Sequence, residues 1–384
     1  KASVYDERAD RQYPRGQNMF NRGDIFLTRK DGQLLTAATV KNGYILAIAP
    51  TLLKNKEEAY RSINTIIPIS EEEFMAKAAR LADPYEELEK RLSEEQAAAI
   101  TALKIPGVTL TKMRWRYYPG NSLASHALGF VSFKENTLTG RYGLERYYND
   151  ILGRSGDNAY VNLFAEAFST IHKSLQEKEF GGEGNIVLSL EPSVQAELED
   201  KLTAVQTKFN SKGAGGIVMD PTTGEIIAMA MAPTFNLNDF SQEKASTFGN
   251  PLVENVFEMG SIIKPLTMAA GLDSGVVTAA STYFDAGFLV LNNSRISNFD
   301  GKGRGTVNMQ QVLNDSLNTG VVHVMQKMGK ENFQTYMRDF GLGEETGIDL
   351  PGETHGLVDN LKSPRDIELA TASFIADNRA RSFF

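Results

Sequence analysis

Strand-like and helix-like stretches come in separate blocks along this 384-residue chain, which predicts an α+β fold in two domains, 1–180 and 181–384. Three observations carry that prediction. The length suggests two or three domains. Short strand-like runs flank a Glu-, Ala-, Leu- and Lys-rich helical stretch in the first half. The cluster Phe180-Gly-Gly-Glu-Gly-Asn185 then interrupts the pattern, and glycine clusters punctuate structure.

The elements follow in order. Residues 1 to about 55 read as short strands broken by turns. Asn21 to Leu27 is one strand, Lys30-Asp31-Gly32 a hairpin turn, and Leu34 to Thr39 the next strand. Ser70-Glu-Glu-Glu73 resembles a capping box, and residues 70 to 104 read as two amphipathic helices broken near Asp83-Pro84. Residues 105 to 118 return to strand. There Trp115, Tyr117 and Tyr118 interleave with Arg114 and Arg116, which predicts one buried face and one solvated face. Residues 141 to 156 form a short helix with a glycine-rich end. Beyond the boundary, Ile186 to Leu190 is a strand and Glu191-Pro192 opens a helix running to about Lys208, since proline suits the first helical position. Residues 215–220, 221–224 and 225–230 read as strand, turn and strand. Gly301-Lys-Gly-Arg-Gly305 is a surface turn, because no strand leads into it and the P-loop pattern is absent.

Composition excludes several classes. Hydrophobic residues make up 41%, enough for a sizeable core. The net charge of −8 argues against a nucleic-acid partner. There is no cysteine, so disulfides and thiolate metal sites are excluded. The four histidines form no metal-binding spacing, and no metal or cofactor is expected. No apolar run approaches the roughly eighteen residues of a membrane span. A soluble protein and the excised part of an anchored one both fit.

The chemistry centres on Ser261-Ile-Ile-Lys264, within Glu258-Met-Gly-Ser-Ile-Ile-Lys-Pro265. Residues three apart share a helix face, so a helix starting at Gly260 lets the Lys264 amine reach the Ser261 hydroxyl. A serine hydroxyl needs an adjacent base, and a buried lysine can be that base because desolvation disfavours its ammonium. The apolar neighbours Ile262, Ile263 and Leu266 fit a buried lysine. Further on, Ser316-Leu317-Asn318 lies inside Val312-Leu-Asn-Asp-Ser-Leu-Asn-Thr-Gly320. It matches S-D-N, the middle motif of the set S-x-x-K, S-D-N and K-T-G, at its first and last residues.

With these motifs the chain resembles the class B penicillin-binding proteins, the monofunctional transpeptidases of bacterial cell-wall synthesis. The likeness spans nearly the whole length. Arg22-Gly23-Asp24-Ile25 resembles the family's R-G-x-I box. Arg116-Tyr-Tyr-Pro-Gly120 with His126-Ala-Leu-Gly129 resembles its R-x-Y-P and H-x-L-G boxes. Gly143-Leu144-Glu145 with Tyr147 is similar to its G-L-E-x-x-Y box. Asp220-Pro221 with Thr223-Gly224-Glu225, Phe340-Gly-Leu-Gly343 and Thr346 to Glu353 resemble stretches of the second half. The resemblance implies an elongated pedestal followed by an α/β transpeptidase domain, an antiparallel sheet with helices on both sides. It implies a membrane anchor absent from this chain and action on the extracytoplasmic, periplasmic face of the cell membrane. It also implies Ser261 as the acylated nucleophile attacking a D-Ala-D-Ala stem peptide of peptidoglycan, with Lys264 as base. Ser316 would relay the proton and Asn318 would hold the substrate amide. β-Lactam antibiotics would trap the acyl-enzyme, and other cell-wall synthesis or division proteins would dock on the pedestal.

The family's third motif, K-[ST]-G, is absent: Lys173-Ser174 and Lys362-Ser363 lack the following glycine. The family places this motif beyond position 384, and Ile375 to Phe384 does not align with the family's continuation. A truncated tail, a frame-shifted one and a junction across missing residues all fit; the expectation is a domain that lacks that strand, and a chain that is catalytically poor because one oxyanion-hole donor is lost. Two other readings stand beside the transpeptidase: a non-catalytic docking module of the cell-wall machinery, and a β-lactam sensor or hydrolase using the same serine.

Overall fold

The computed structural model describes residues 22–134, 137–153, 184–257, 259–291, 294–358 and 361. The glycine cluster around 180, the Arg154-Ser-Gly156 end, Glu258, both Lys-Ser pairs and the tail from 375 lie wholly or mostly outside them. The fold is α+β and divides into two compact units: Lys1–Leu252 with Asp349–Pro351, and Val253–Ile348 with Gly352–Phe384. Among the described residues no helix is long and apolar enough to cross a membrane.

In the first unit, β1 (Ile25–Thr28) and β2 (Leu34–Ile48) form the expected hairpin around Asp31-Gly32, with Gly32 at φ +79° as the turn requires. Strand β2 runs far past Thr39. It is long because, past β1, it serves two more partners, β3 (Glu86–Leu92) and β4 (Val108–Tyr117), both antiparallel. Helices α1 (Lys56–Asn64), α2 (Glu71–Ala78) and α3 (Glu94–Ala102) supply Ile63, Phe74 and Ile100 to a core shared with Leu46, Ile48, Leu88 and Leu92. Ser70 caps α2 through Glu73 N–H, and the reciprocal capping box sits at Ser93 and Gln96.

Two expectations fail here. Residues 70–104 contain a strand, β3, between their helices. Its Glu-Glu-Leu-Glu-Lys-Arg-Leu sequence favours helix, but pairing with β2 buries Glu86, Leu88 and Leu92, and tertiary pairing overrides propensity. On β4, Trp115 and Tyr117 are half-buried and Arg114 is exposed, yet Arg116 is buried. Its burial has a partner. The short helices α4 (Ser125–Leu128), α5 (Gly143–Tyr147) and α6 (Asn149–Leu152) follow the hairpin strands β5 (Val131–Lys134) and β6 (Thr137–Gly140) or precede them. Glu145 on α5, fully buried, accepts Arg22 Nε at 2.6 Å and Arg116 Nε at 2.6 Å, and the Tyr118 hydroxyl donates to it at 3.2 Å. Arg116 also donates to Gly23 O at 2.7 Å. Three sequence boxes far apart in the chain thus meet in one buried ion triad. Burial alone would push the Glu145 carboxyl up, but Arg116 and then Arg22 outweigh it and hold it below the usual range.

The unit continues through β7 (Ile186–Leu188), parallel to β1, into α7 (Pro192–Phe209), which Glu191 caps through Val194 N–H. Strands β8 (Ala214–Met219) and β9 (Ile226–Ala232) pair antiparallel, as the strand–turn–strand reading requires. Buried Gln195 clamps α7 to β9 by bonding both Met229 N–H and Met229 O at 2.9 Å.

The second unit is built on α8 (Lys264–Asp273), α9 (Met309–Asn314), α10 (Asn318–Met328) and α11 (Lys330–Asp339). Met268, Ala270, Val312, Val321, Val324 and Phe333 form much of its core. Gly271 lets α8 and α10 approach closely, since a Cβ there would lie 2.3 Å from Val324 Cγ1. Two antiparallel pairings complete the unit: β10 (Thr282–Asp285) with β13 (Gly305–Asn308), and, between them in the chain, β11 (Phe288–Leu291) with β12 (Ser294–Ser297).

Candidate active site

All four residues singled out from the sequence lie in the second unit. Ser261 sits in a single 3-10 turn, Gly260–Ile263, that leads directly into α8 at Lys264. Gly260 enters that turn at φ +60°, a conformation glycine adopts without strain. The turn leaves Ser261 exposed and buries Lys264 to 2%. Ile263 is buried and Leu266 half-buried as expected, but Ile262 points to solvent, because consecutive residues of a helical turn face different ways.

Ser316 and Asn318 flank the start of α10. Ser316 has φ +52°, a strained region for a residue with a side chain, and it closes the turn between α9 and α10. That turn aims Ser316 at α8. Lys264 Nζ donates to Ser316 O at 2.6 Å and to Ser316 Oγ at 2.8 Å, and Ser316 Oγ donates to Ser261 Oγ at 3.1 Å. The amine and the Ser261 hydroxyl are therefore linked through Ser316. The expected contact was a direct one across one helical turn. The difference arises because Ser316 offers the deeply set ammonium two acceptors, its carbonyl and its hydroxyl, and that hydroxyl lies between the amine and Ser261.

Burial pushes the Lys264 amine down from its ordinary value to about 8. A useful fraction is then neutral near physiological pH. With the amine protonated, the bonds run from Lys264 through Ser316 to Ser261. With it neutral they can reverse, so a proton leaving Ser261 can pass to Lys264 through one hydroxyl.

Asn318, nearly buried, donates its side-chain N–H to Ser297 O at 2.8 Å at the end of β12. Thr319, the next residue, was not among the sequence candidates. It joins Asp285 and Asn298, which no motif spacing marks: Thr319 Oγ1 donates to Asp285 Oδ1 at 2.8 Å. Adjacency to Asn318 was the only signal for it. Among the described residues no group of three or more His, Asp or Glu is arranged to hold a metal ion.

Comparison with known proteins gives two family matches. Residues 214–375 match the penicillin-binding protein transpeptidase domain, and residues 17–181 match the penicillin-binding protein dimerisation domain. Stage V sporulation protein D of Bacillus subtilis is 28% identical over 363 residues, covering 92% of this chain and 54% of that protein. Peptidoglycan D,D-transpeptidase MrdA of Acinetobacter baumannii is 28% identical over 364 residues, 83% of this chain and 53% of that protein. MrdA of Escherichia coli is 25% identical over 351 residues, 82% of this chain and 54% of that protein. The chain spans about half the length of the curated relatives it matches.

Proposed function

The chain belongs to the class B penicillin-binding proteins, and on that premise we propose that it carries the serine centre of a peptidoglycan D,D-transpeptidase. The observation that carries the proposal is the bonded series Lys264, Ser316, Ser261, with an exposed hydroxyl at one end and a buried amine of lowered pKa at the other.

In the first half-reaction Ser261 Oγ attacks the carbonyl carbon between the two D-alanines of a stem peptide. Its proton passes through Ser316 to neutral Lys264. The C–N bond breaks, and the leaving D-alanine amine takes that proton back along the same path. In the second, an amine of another stem peptide attacks the ester carbon and gives up one proton along the Ser316–Lys264 path, the C–O bond to Ser261 breaks, and Ser261 Oγ takes that proton. The Asn318 amide, tied through its N–H to Ser297 O, has a carbonyl oxygen with no partner among the described residues, and this oxygen would accept from the substrate amide. β-Lactams enter the first half-reaction and stay as the ester. Such a centre acts on the extracytoplasmic face of the cell membrane, where peptidoglycan lies. The 1–180 pedestal is the surface for other cell-wall synthesis or division proteins.

Fluorescent penicillin applied to the intact protein, in a form that carries the K-[ST]-G strand, tests this; the chain of 384 residues alone is expected to label more slowly. A covalent adduct is expected on the peptide containing Ser261, absent from Ser261→Ala. An adduct that persists separates transpeptidase from hydrolase. Labelling that survives Ser261→Ala, or its absence in the parent, overturns the assignment.

The pH dependence has a definite sign. A depressed lysine pKa makes the free base available at lower pH, and only the free base accepts the serine proton. The acylation rate constant should therefore rise with pH by about tenfold per unit below the midpoint and level off above it. The midpoint is expected near pH 8, where the Lys264 amine loses its proton. Stopped-flow acylation across pH 6 to 10 reads it, and a flat profile would remove Lys264 as base.

A further inference from the structure

Behind Asn318 lies a buried carboxylate that the acyl-transfer scheme does not use. Asp285 is 1% exposed at the end of β10. It accepts from Gly287 N–H at 2.9 Å, Arg304 N–H at 3.0 Å, Thr319 Oγ1 at 2.8 Å, and Asn298 Nδ2 at 3.1 and 3.0 Å. The Tyr283 hydroxyl lies 3.1 Å from Thr319 Oγ1, and since that hydroxyl is donating to Asp285, Tyr283 donates to it. Asn298 returns its carbonyl to Thr319: Oδ1 lies 3.4 Å from Thr319 N and 3.2 Å from Thr319 Oγ1. Asn298 also reaches Lys302 O at 3.1 Å.

A buried carboxylate loses its hydration, and among the described residues no cation forms a close ion pair with Asp285; the Arg304 charge, paired with Asp300 and Asp315, acts on it from farther off. Its donors come from four separate segments: the Gly287 turn, the end of β12, the Gly301–Gly305 turn and the first turn of α10. Gly287, at φ +85°, admits the close approach of the Gly303 backbone that brings Arg304 N–H onto the carboxylate. The glycine-rich surface turn thus has its inner face wrapped around Asp285.

We infer that Asp285, with Asn298 and Thr319, is the positioning group that holds the first turn of α10 so that Ser316 and Asn318 face the reacting atoms. This rests on the reading of Ser261, Lys264, Ser316 and Asn318 given above. Three residues of one short stretch set the geometry. Ser316 meets Lys264, Asn318 is tied to Ser297, and Thr319 is tied to Asp285 and to Asn298, the residue after Ser297. Thr319 is therefore the anchor beyond the two working residues. Ser316 is held at a strained φ, and such strain persists only where surrounding bonds over-determine it. Release of Thr319 lets α10 rotate at its first turn, and Ser316 Oγ then leaves the line between Lys264 and Ser261.

The test uses the intact protein and fluorescent penicillin, separating the initial binding constant from the acylation rate constant and recording the latter against pH. Thr319→Val removes the anchoring hydroxyl at nearly constant shape, Thr319→Ser keeps it, and Asp285→Asn turns one acceptor into a donor. Asp273→Asn is the control, since it takes the charge from the acceptor of a Tyr336–Asp273 bond of 2.6 Å on the exposed side of α8. Thr319→Val and Asp285→Asn are expected to slow acylation by about tenfold or more, the scale for losing groups that orient a working side chain. Initial binding should change little and the pH midpoint should move, because both acceptors of Lys264 are on Ser316. Thr319→Ser and Asp273→Asn should behave as the parent. Where Asp285→Asn does not fold, the Thr319 pair decides by the same readouts. A parent that acylates while Thr319→Val and Asp285→Asn match it in rate and midpoint overturns this inference alone. A parent that takes no penicillin overturns the reading of Ser261, and this inference with it.

Discussion

Lys264→Met is expected to slow acylation of Ser261 by about a hundred- to ten-thousandfold, the usual contribution of a positioned general base. Methionine matches the length of the lysine stem and packs in the same apolar surroundings, so the amine is the main thing lost. Stability is expected to move much less. The folded state lowers the pKa of this amine, so the ammonium burdens the fold below about pH 8, and that burden fades as pH rises toward the unfolded value of 10.5. Methionine removes the burden but also leaves Ser316 O and Oγ without their donor. The two effects oppose each other, and a melting curve beside the acylation rate separates chemistry from folding. Ser316→Ala is the informative companion. A proton that travels through Ser316 makes it nearly as slow as Lys264→Met, whereas direct transfer leaves it close to the parent. A Lys264→Met protein that acylates at the parental rate would leave Ser261 without a base among its bonded neighbours.

The local chemistry of the site was legible in the sequence, and its wiring was not. Ser261 and Lys264 at a three-residue spacing imply one helix face, and the 3-10 turn into α8 supplies it. Ser316 and Asn318 stood out because Ser-Leu-Asn matches the S-D-N motif at its first and last residues. What could not be read is that Ser316 stands between the other two, because that depends on a left-handed φ at a non-glycine residue and on how closely α8 and α10 approach at Gly271. Asp285 was invisible for the same reason: its partners lie between 2 and 34 positions away with no period. The fold divides likewise. Glu191-Pro192, Asp31-Gly32 and Ser70 act locally through caps and turns, and each does what its residue types dictate. Residues 86–92 look helical in isolation and become strand because β2 offers them an edge. Arg116 was assigned to a solvated face by alternation. Its burial follows from a glutamate 29 residues on, which no periodicity reveals.

Glu145→Ala is expected to be the most destabilising single change in the first unit, at about 3–5 kcal/mol, the cost of stranding buried charge. The side chains of Arg22 and Arg116 are 5% and 2% exposed, and each donates its Nε to a different oxygen of this one carboxylate. Alanine leaves both guanidinium groups without the carboxylate they share, with only Asp24 acting on Arg116 from farther off, and neither can lose its proton at accessible pH. Against a typical domain stability of about 5–15 kcal/mol, that removes much of the margin. Glu145→Gln should do little better despite its matching shape. Its NH2 must face one of the two arginine Nε–H groups, donor against donor. Combining Glu145→Leu with Arg22→Met and Arg116→Met should recover part of the loss, because a buried triad can often be replaced whole by apolar residues. Recovery stays partial, since Gly23 O and the Glu145 backbone carbonyl lose their arginine donors. The pH signature follows from the depressed Glu145 pKa. The triad's contribution is present above the unfolded carboxyl value of about 4.5 and is lost as pH falls through the lower folded value, so the parent should lose stability on acidification more steeply than Glu145→Ala. Urea denaturation followed by Trp115 fluorescence at pH 7 and pH 4 measures both effects. Coincident curves for parent and Glu145→Ala at pH 7 would mean that the two arginines find other partners, and that the meeting of the three sequence boxes contributes nothing to holding β4, α5 and the start of β1 together.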